Sequence, residues 1–476
     1  MTDAGRERSA PVVAESDVVV VGGGSAGVAA AVAAARQGAS VTLVERYGCL
    51  GGMASGGMVL VLDDMVNGAE ITVKGICAEF IGRLERLGLA VYPPPEAWGD
   101  DPASIRRWSR WGASDFHFKG SPKPICYSVA FDPDGWKRVS LELVAEAGVK
   151  LRLHSWAAEA VMDGATIRGV RVLTKKGLQE VRGRVVVDAS GDADIVVTAG
   201  APFVHDRYLV TTVFRLGGVD VEESERHAEE SPREAALLNR RAKLILGGAW
   251  ENWWLRTPLP GIVWCNCPHL TGYDGVDPES QTAAEMAGRE RVYALVEFAR
   301  ANLPGFEGAF VVDVASQLGV RQTRLAVGEY VVTASDITCR RHFPDSVARG
   351  RNYYTPYRAL VPRAVDGLLV AGRHYSAEPE AQRQSREIPP CMSMGEAAGV
   401  AAALSVETST PLLRIDVAEL QRRLRSVGHD PGDVPSANAT REEPPDSGDP
   451  RPGLDETAEA VARRQETTSS ETEVLR

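Results

Sequence analysis

The chain has 476 residues, 44% hydrophobic and 25% charged, with a formal net charge of −11. That balance suits a globular protein of two or more domains and excludes the clustered basic face that nucleic-acid binding requires. Seven scattered cysteines, odd in number, exclude a disulfide framework and point to reduced thiols and the cytoplasm.

Residues 1–14 carry no apolar pattern and are expected to be disordered. The stretch DVVVVGGGSAGVAAAVAAARQGASVTLVER, Asp17 to Arg46, follows. Its uncharged run from Val18 to Ala35 reaches the lower length limit of a membrane span. Ala and Gly insert poorly, however, so no span is expected. The residues ahead are acidic as well as basic, which argues against a signal peptide. Asp17 to Val21 reads as a strand buried on both faces, Ala29 to Gln37 as a helix and Ala39 to Glu45 as a second strand. Gly22, Gly24 and Gly27 fit G-x-G-x-x-G between strand and helix. Gly22 allows the tight turn, Gly24 lets a pyrophosphate approach the backbone, and Gly27 lets the helix lie close to the strand. Ser25 and Ala26 lie among these glycines, ahead of a helix N-terminus that offers N–H groups and a positive dipole end to phosphates. Glu45 is spaced to accept from a ribose diol, and Arg46 follows it.

ERYGCLGGMASGG continues into a second glycine turn at Gly51 and Gly52, followed by Met53 and Ala54. GRVVVDASGDADIV, Gly183 to Val196, is a hydrophobic strand ending in a small-residue turn through Ala189, Ser190, Gly191 and Asp192. LLVAGR, at 368–373, and PPCMSMGEAAG, at 389–399, form a strand, a loop and a small-residue helix. With GVRQTRLAVGEY, at 319–330, these motifs resemble the FAD-dependent oxidoreductases of glutathione-reductase-like fold, in the branch related to the flavin subunit of heterodisulfide reductase. The resemblance covers most of residues 15–410. It implies that Pro390, Cys391 and Met392 line the flavin pyrimidine contact, that Gly372 and Arg373 lie by the pyrophosphate and ribityl chain, and that the backbone at Trp156 and Ala157 meets adenine. Cys49 and His374 depart from the residues usual there, and the C-x-x-C-x-x-C-x-x-x-C cluster motif is absent, which argues against an iron–sulfur centre of that type.

The expected fold is α/β. A Rossmann-like, three-layer FAD-binding domain with a central parallel sheet is assembled from 15–57, 134–200 and 357–410. An inserted α+β substrate or cap domain comprises 58–133 and 201–356. A C-terminal helix at 411–428 precedes a disordered acidic tail at 429–476, where twelve acidic residues outnumber five basic ones and nothing supports a core. Seven of the nine tryptophans fall in the inserts. They suit core packing and also the walling of a flat substrate.

Flavin carries redox chemistry, and the protein supplies binding and proton handling. The expected catalytic residues are Arg321 and Arg324 as carboxylate or carbonyl binders, His374 as acid or base and Arg386 as an anion holder. Structural roles compete for each: an ion pair for the arginines, a loop hydrogen bond for the histidine. No metal is expected, because Cys265, Cys267 and His269 lack further ligands nearby. The expected function is hydride transfer at flavin N5 to or from a small organic molecule, and a place in secondary metabolism fits the aromatic inserts. The alternatives are a flavin monooxygenase, although WENWW lacks the halogenase spacing, or an electron-transfer subunit. An electron donor or acceptor and a homo-oligomer remain open as partners. Nothing in the spacing requires covalent flavin.

Overall fold

The computed structural model describes residues 10–118 and 120–434. The disorder expected at 1–9 and 435–476 lies outside the described residues. The framework elements, in chain order, are β1 (Val12–Val21), α1 (Ser25–Arg36), β2 (Val41–Val44), α2 (Ile76–Arg86) and α3 (Pro133–Glu146). They continue with β3 (Lys150–Arg152), β4 (Trp156–Asp163), β5 (Thr166–Thr174), β6 (Gly177–Asp188), β7 (Leu368–Val370), α4 (Ile388–Thr408) and α5 (Val417–Ser426). The central sheet runs β3-β2-β1-β6-β5-β4, with β7 also beside β6. Pairs among β3, β2, β1, β6 and β7 are parallel, whereas β5 is antiparallel to both β6 and β4. Strand β6 divides its edge. Its first half, up to Arg182, pairs with β5, and Val186 to Asp188 pair with β7. The fold is therefore α/β with a Rossmann-type parallel sheet.

The lack of charge in α1 has a packing cause. Every residue from Ser25 to Ala34 is buried, because α4 closes over the side of α1 that the sheet leaves uncovered. A Cβ on Gly395 would lie 2.1 Å from the carbonyl oxygen of Ala26, and one on Gly399 would lie 2.2 Å from that of Ala30. The two helices thus meet backbone to backbone, which only small residues permit.

Three boundaries differ from expectation. Strand β1 starts at Val12, which pairs with Glu180, so 12–14 are ordered sheet. Its exposed, alternating start hides it from a hydrophobicity reading. Within 58–133, α2 belongs to the main core: Phe80 stacks on Trp136 at 4.1 Å, and Ile76 N–H donates to Glu396 at 3.0 Å. The amphipathic face of α2 needed a partner that sequence could not identify. Residues 429–434 are also placed against the fold rather than in a free tail. His429, 3% exposed, contacts Glu396 Oε2 through Nδ1 at 3.0 Å and Val347 O through Nε2 at 2.9 Å.

Most of the remainder builds a second core. Strands Leu255–Arg256, Val263–Cys265, Phe214–Gly217 and Phe310–Val314 form a four-stranded sheet, packed around Phe214, Trp254, Leu295 and Phe306. Cys265 and Cys267 lie in this core, and burial pushes the Cys265 thiol well above its ordinary value. One cation ties the insert to the framework. Arg215 donates to Asp132 at 2.9 Å and through two nitrogens to Asp313 at 3.0 and 2.6 Å. The other oxygen of Asp132 caps α3 at the N–H groups of Asp134 and Gly135, as an N-cap carboxylate should. No helix among the described residues is long and apolar enough to cross a membrane.

A Gly395→Val substitution should cost about 1–3 kcal/mol by overpacking, read as a lower denaturant midpoint; unchanged stability would refute the backbone contact. His429 offers a pH test. Both of its partners are acceptors, so both ring nitrogens donate and the ring is charged. Burial works to lower its pKa, but the charge of Glu396 and the hydrogen bond to it raise the value above the ordinary 6.5. A raised folded value gives stability that is complete below the unfolded pKa and fades as pH rises through the folded one. His429→Asn should therefore cost about 3–5 kcal/mol in mildly acidic buffer. The gap from the natural chain should narrow toward alkaline pH in paired thermal melts, and a gap constant with pH would contradict this reading.

Candidate active site

The carboxyl ends of four parallel strands converge on one cleft, the crevice at which open α/β sheets bind ligands. Its lining takes in Val21 after β1, Val44 and Glu45 after β2, Ala189 after β6 and Ala371 after β7. It encloses about 950 Å³, including its mouth.

The three fingerprint glycines have separable physical causes. Gly22 has φ +98°, and a Cβ there would meet the Ala189 carbonyl oxygen at 2.4 Å. A Cβ on Gly27 would strike the Gly22 carbonyl oxygen at 1.8 Å. Both are demanded by the fold. Gly24 is not: its φ is −68°, and a Cβ would have only Gly52 Cα near it, at 3.9 Å. A Cβ there would make only ordinary contact, so the fold does not demand glycine at 24, and a ligand is what the bare backbone fits. The second glycine turn supports the first. Gly51 N–H donates to Gly23 O at 2.7 Å, and Gly52 borders the cleft beside Gly22, Gly24, Ser25 and Ala26.

Glu45 is 6% exposed. Its oxygens accept from Gly23 N–H at 2.6 Å and Tyr47 N–H at 2.8 Å. Burial raises its pKa, and those backbone bonds oppose the shift. Arg46 lies 5.1 Å from the Trp156 ring centroid, and both line the cleft with Ala157 and Met53. Ser190, Gly191, Gly372, Arg373 and Cys391 complete the expected residues found there.

Six expected cofactor residues do not line the cleft: Gly27, Gly51, Ala54, Asp192, Pro390 and Met392. Gly27 and Gly51 shape backbone, and Ala54 is core. Asp192 accepts from Thr323 at 2.6 Å and Arg373 at 2.8 Å, so it aims an arginine. On α4 the residues bordering the cleft are Ile388 and Cys391, which share a helix face at i, i+3. Pro390 and Met392 fall on other faces. The Cys391 thiol donates to Arg386 O at 3.3 Å, and burial pushes it up to about 12, so it stays protonated and unreactive.

The expected catalytic residues separate likewise. His374 is wholly buried and does not line this cleft; its Nε2 donates to Asp188 O at 3.1 Å. Asp188 also accepts from Ser190, Ile195 and Val196 N–H. Burial would raise Asp188, but the charge of His374 and these bonds hold it at about 2. The pair is a structural tether. Arg324 is also outside both cavities, paired with Asp194. Burial and the neighbouring Asp192 and Asp188 raise the Asp194 carboxyl, which lines the cleft, to about 6.

Arg321 and Arg386 border a second, larger chamber of about 2040 Å³, including its mouth. Trp250, Trp253, Trp264, Phe116 and Phe118 wall it. Met53, Arg373, Arg386 and Ile388 border both spaces, so the chamber adjoins the cleft. Arg321 donates to Asn266 at 3.2 Å and lies 5.5 Å from the Trp250 centroid. Gln382 Nε2 donates to Arg321 O at 3.1 Å and Arg373 O at 2.8 Å, fixing the two loops together. His117 also faces the chamber, with Nε2 3.2 Å from Asp64 Oδ1. Asp64 has φ +61°, and its other oxygen accepts from Tyr353 at 2.6 Å.

The model of the family described as FAD dependent oxidoreductase matches residues 17–354 and 350–424. This chain belongs to that family. It is an enzyme and FAD is its cofactor. Solved structures similar to the oxidoreductase include a geranylgeranyl bacteriochlorophyll reductase-like protein from Thermoplasma acidophilum, 12% identical, covering 90% of this chain and 94% of that one with a TM-score of 0.42. A flavin-dependent brominase is 15% identical over 86% and 84% of the two chains, with a TM-score of 0.45. An L-amino acid deaminase from Proteus myxofaciens is 14% identical over 87% and 94%, with a TM-score of 0.43. None of the curated proteins compared matches the chain.

Sequence reasoning missed Asp64, His117, Asn266 and Gln382, which lie far apart in the chain and carry no motif; chamber aromatics were its only visible signal. Gly24→Val gives a sharp test of the cleft. The variant should unfold within about 1 kcal/mol of the natural chain, since no protein atom is crowded, yet purify colourless while the natural chain is yellow. A yellow variant would remove Gly24 from the cofactor path.

Proposed function

We infer that the oxidoreductase exchanges a hydride between its flavin and a small organic molecule held in the aromatic chamber. The observation that carries this reading is the shared wall of Met53, Arg373, Arg386 and Ile388, which puts the chamber next to the cofactor cleft. When bound, FAD supplies two-electron redox chemistry. The cofactor would be held by the backbone around Gly24 and the α1 N-terminus at its phosphates, Glu45 at a ribose and Ala157 at the adenine end. The start of α4 would lend its positive dipole end to the flavin ring.

The chain's own residues have defined tasks. Asp192 and Thr323 hold Arg373 at the junction. Trp250 and Trp264 exclude water and stack on a flat substrate, with Trp264 anchored through its indole N–H to Met58 O at 2.6 Å. His117, whose Nε2 approaches Asp64 Oδ1 to 3.2 Å, takes or returns the substrate proton at an imidazole nitrogen. This role replaces the one expected of His374, which is sealed from both spaces. The chamber also suits the monooxygenase alternative, which differs in what reduces the flavin.

Anaerobic addition of organic donors should bleach the yellow protein. His117→Gln should stay yellow and bleach about a hundredfold more slowly or worse. Bleaching by NAD(P)H alone, followed by oxygenated product in air, would replace this reading with the monooxygenase. An unchanged rate in His117→Gln would remove the proton role.

A further inference from the structure

We propose that the chamber's substrate is a flat, largely apolar molecule bearing a carboxylate, and that Arg386 holds the carboxylate at the junction with the flavin cleft. This deepens the reading of the chamber as the substrate site and rests on it.

Arg386 sits between the helix Pro379–Ser385 and α4, with its side chain 9% exposed. Its Nε and Nη2 are buried and have no hydrogen-bond partner among the described residues. Nη1 lies 3.8 Å from Glu387 Oε1, beyond hydrogen-bond reach. A buried guanidinium with two unused donors is costly unless a ligand uses them, and this one borders both cavities.

The start of α4 sharpens the need for that side chain. A helix N-terminus ordinarily offers several free N–H groups. Here Pro389 and Pro390 have none, and the N–H of Cys391 is already given to Glu387 O at 3.1 Å. The dipole therefore attracts an anion while the backbone offers few donors to bind it. The Nε and Nη2 pair of Arg386 fits a carboxylate side-on, two bonds in one plane. Arg373 Nε is likewise buried without a partner at the same wall, a second donor within the junction. Trp250, Trp253, Trp264, Phe116 and Phe118 set the rest of the selectivity, for a flat apolar body.

The test uses FAD-loaded protein and three probe acids: benzoate, 3-phenylpropanoate and indole-3-propanoate, each beside its primary amide. Binding is read from perturbation of the flavin absorbance. At least one acid should bind the natural chain about tenfold or more tighter than its amide, the worth of a charge-assisted pair. Arg386→Gln should remain yellow and lose that preference. Arg386→Lys, which keeps charge but not the planar fork, should keep only part of it. Four results would each overturn the proposal. They are no response to any acid, equal binding of acid and amide, a preference that survives Arg386→Gln, or loss of FAD or of fold in both variants. The last would assign the guanidinium to the cofactor or the core. Failure of every donor to bleach the flavin would instead sink the reaction reading while the acid preference stood.

Discussion

Everything in the framework depends on how closely α1 can approach what surrounds it. The Gly22 carbonyl occupies the space a Gly27 side chain would need, and the Ala26 and Ala30 carbonyls occupy the space of side chains at Gly395 and Gly399. Because these distances are backbone distances, α1 is clamped between the sheet and α4 with little freedom to shift. That clamp sets the start of α1 beside the start of α4. The two helix N-termini, both positive dipole ends, then face one continuous space that begins at Gly24 and ends at Ile388.

Charge is arranged around the clamp with economy. The buried carboxylate of Glu396 on α4 is matched by His429, and Asp188 at the end of β6 by His374. Asp192 takes Arg373, and Arg324 takes Asp194. Burying a charge is tolerable when it is paired and hydrogen-bonded, and these pairs meet that condition. Arg386 stands apart, with two buried nitrogens that no described residue satisfies, at the point where cofactor cleft and chamber meet. Arg324, Arg373 and His374 each keep one buried nitrogen without a partner among the described residues as well, but each is paired through another nitrogen, whereas Arg386 has two such nitrogens and only a 3.8 Å approach to Glu387.

Particular residues show how far the sequence could be read. The placement of Gly22, Gly24, Gly27 and Glu45 was legible because their spacing falls within a single βαβ unit, where neighbours in sequence are neighbours in space. His374 was misleading for the converse reason. It follows Arg373 directly, yet adjacent residues on an extended loop point in different directions, and it turned into the core while Arg373 turned to the cleft. His117 and Asp64 were invisible because 53 residues separate them and no local rule links them. The start of β1 and the ordered stretch at 429–434 were lost because their partners, Glu180 and Glu396, come from remote segments.

By itself, then, the sequence determined the glycine turn between strand and helix, the α/β class and the flavin family, since each is written in local periodicity and short-range spacing. Tertiary structure alone decided which arginine faces the chamber, which histidine is sealed, and that the aromatic chamber adjoins the cleft at the strand ends. Those outcomes depend on side-chain direction and on packing between segments hundreds of residues apart, which spacing along a chain does not encode.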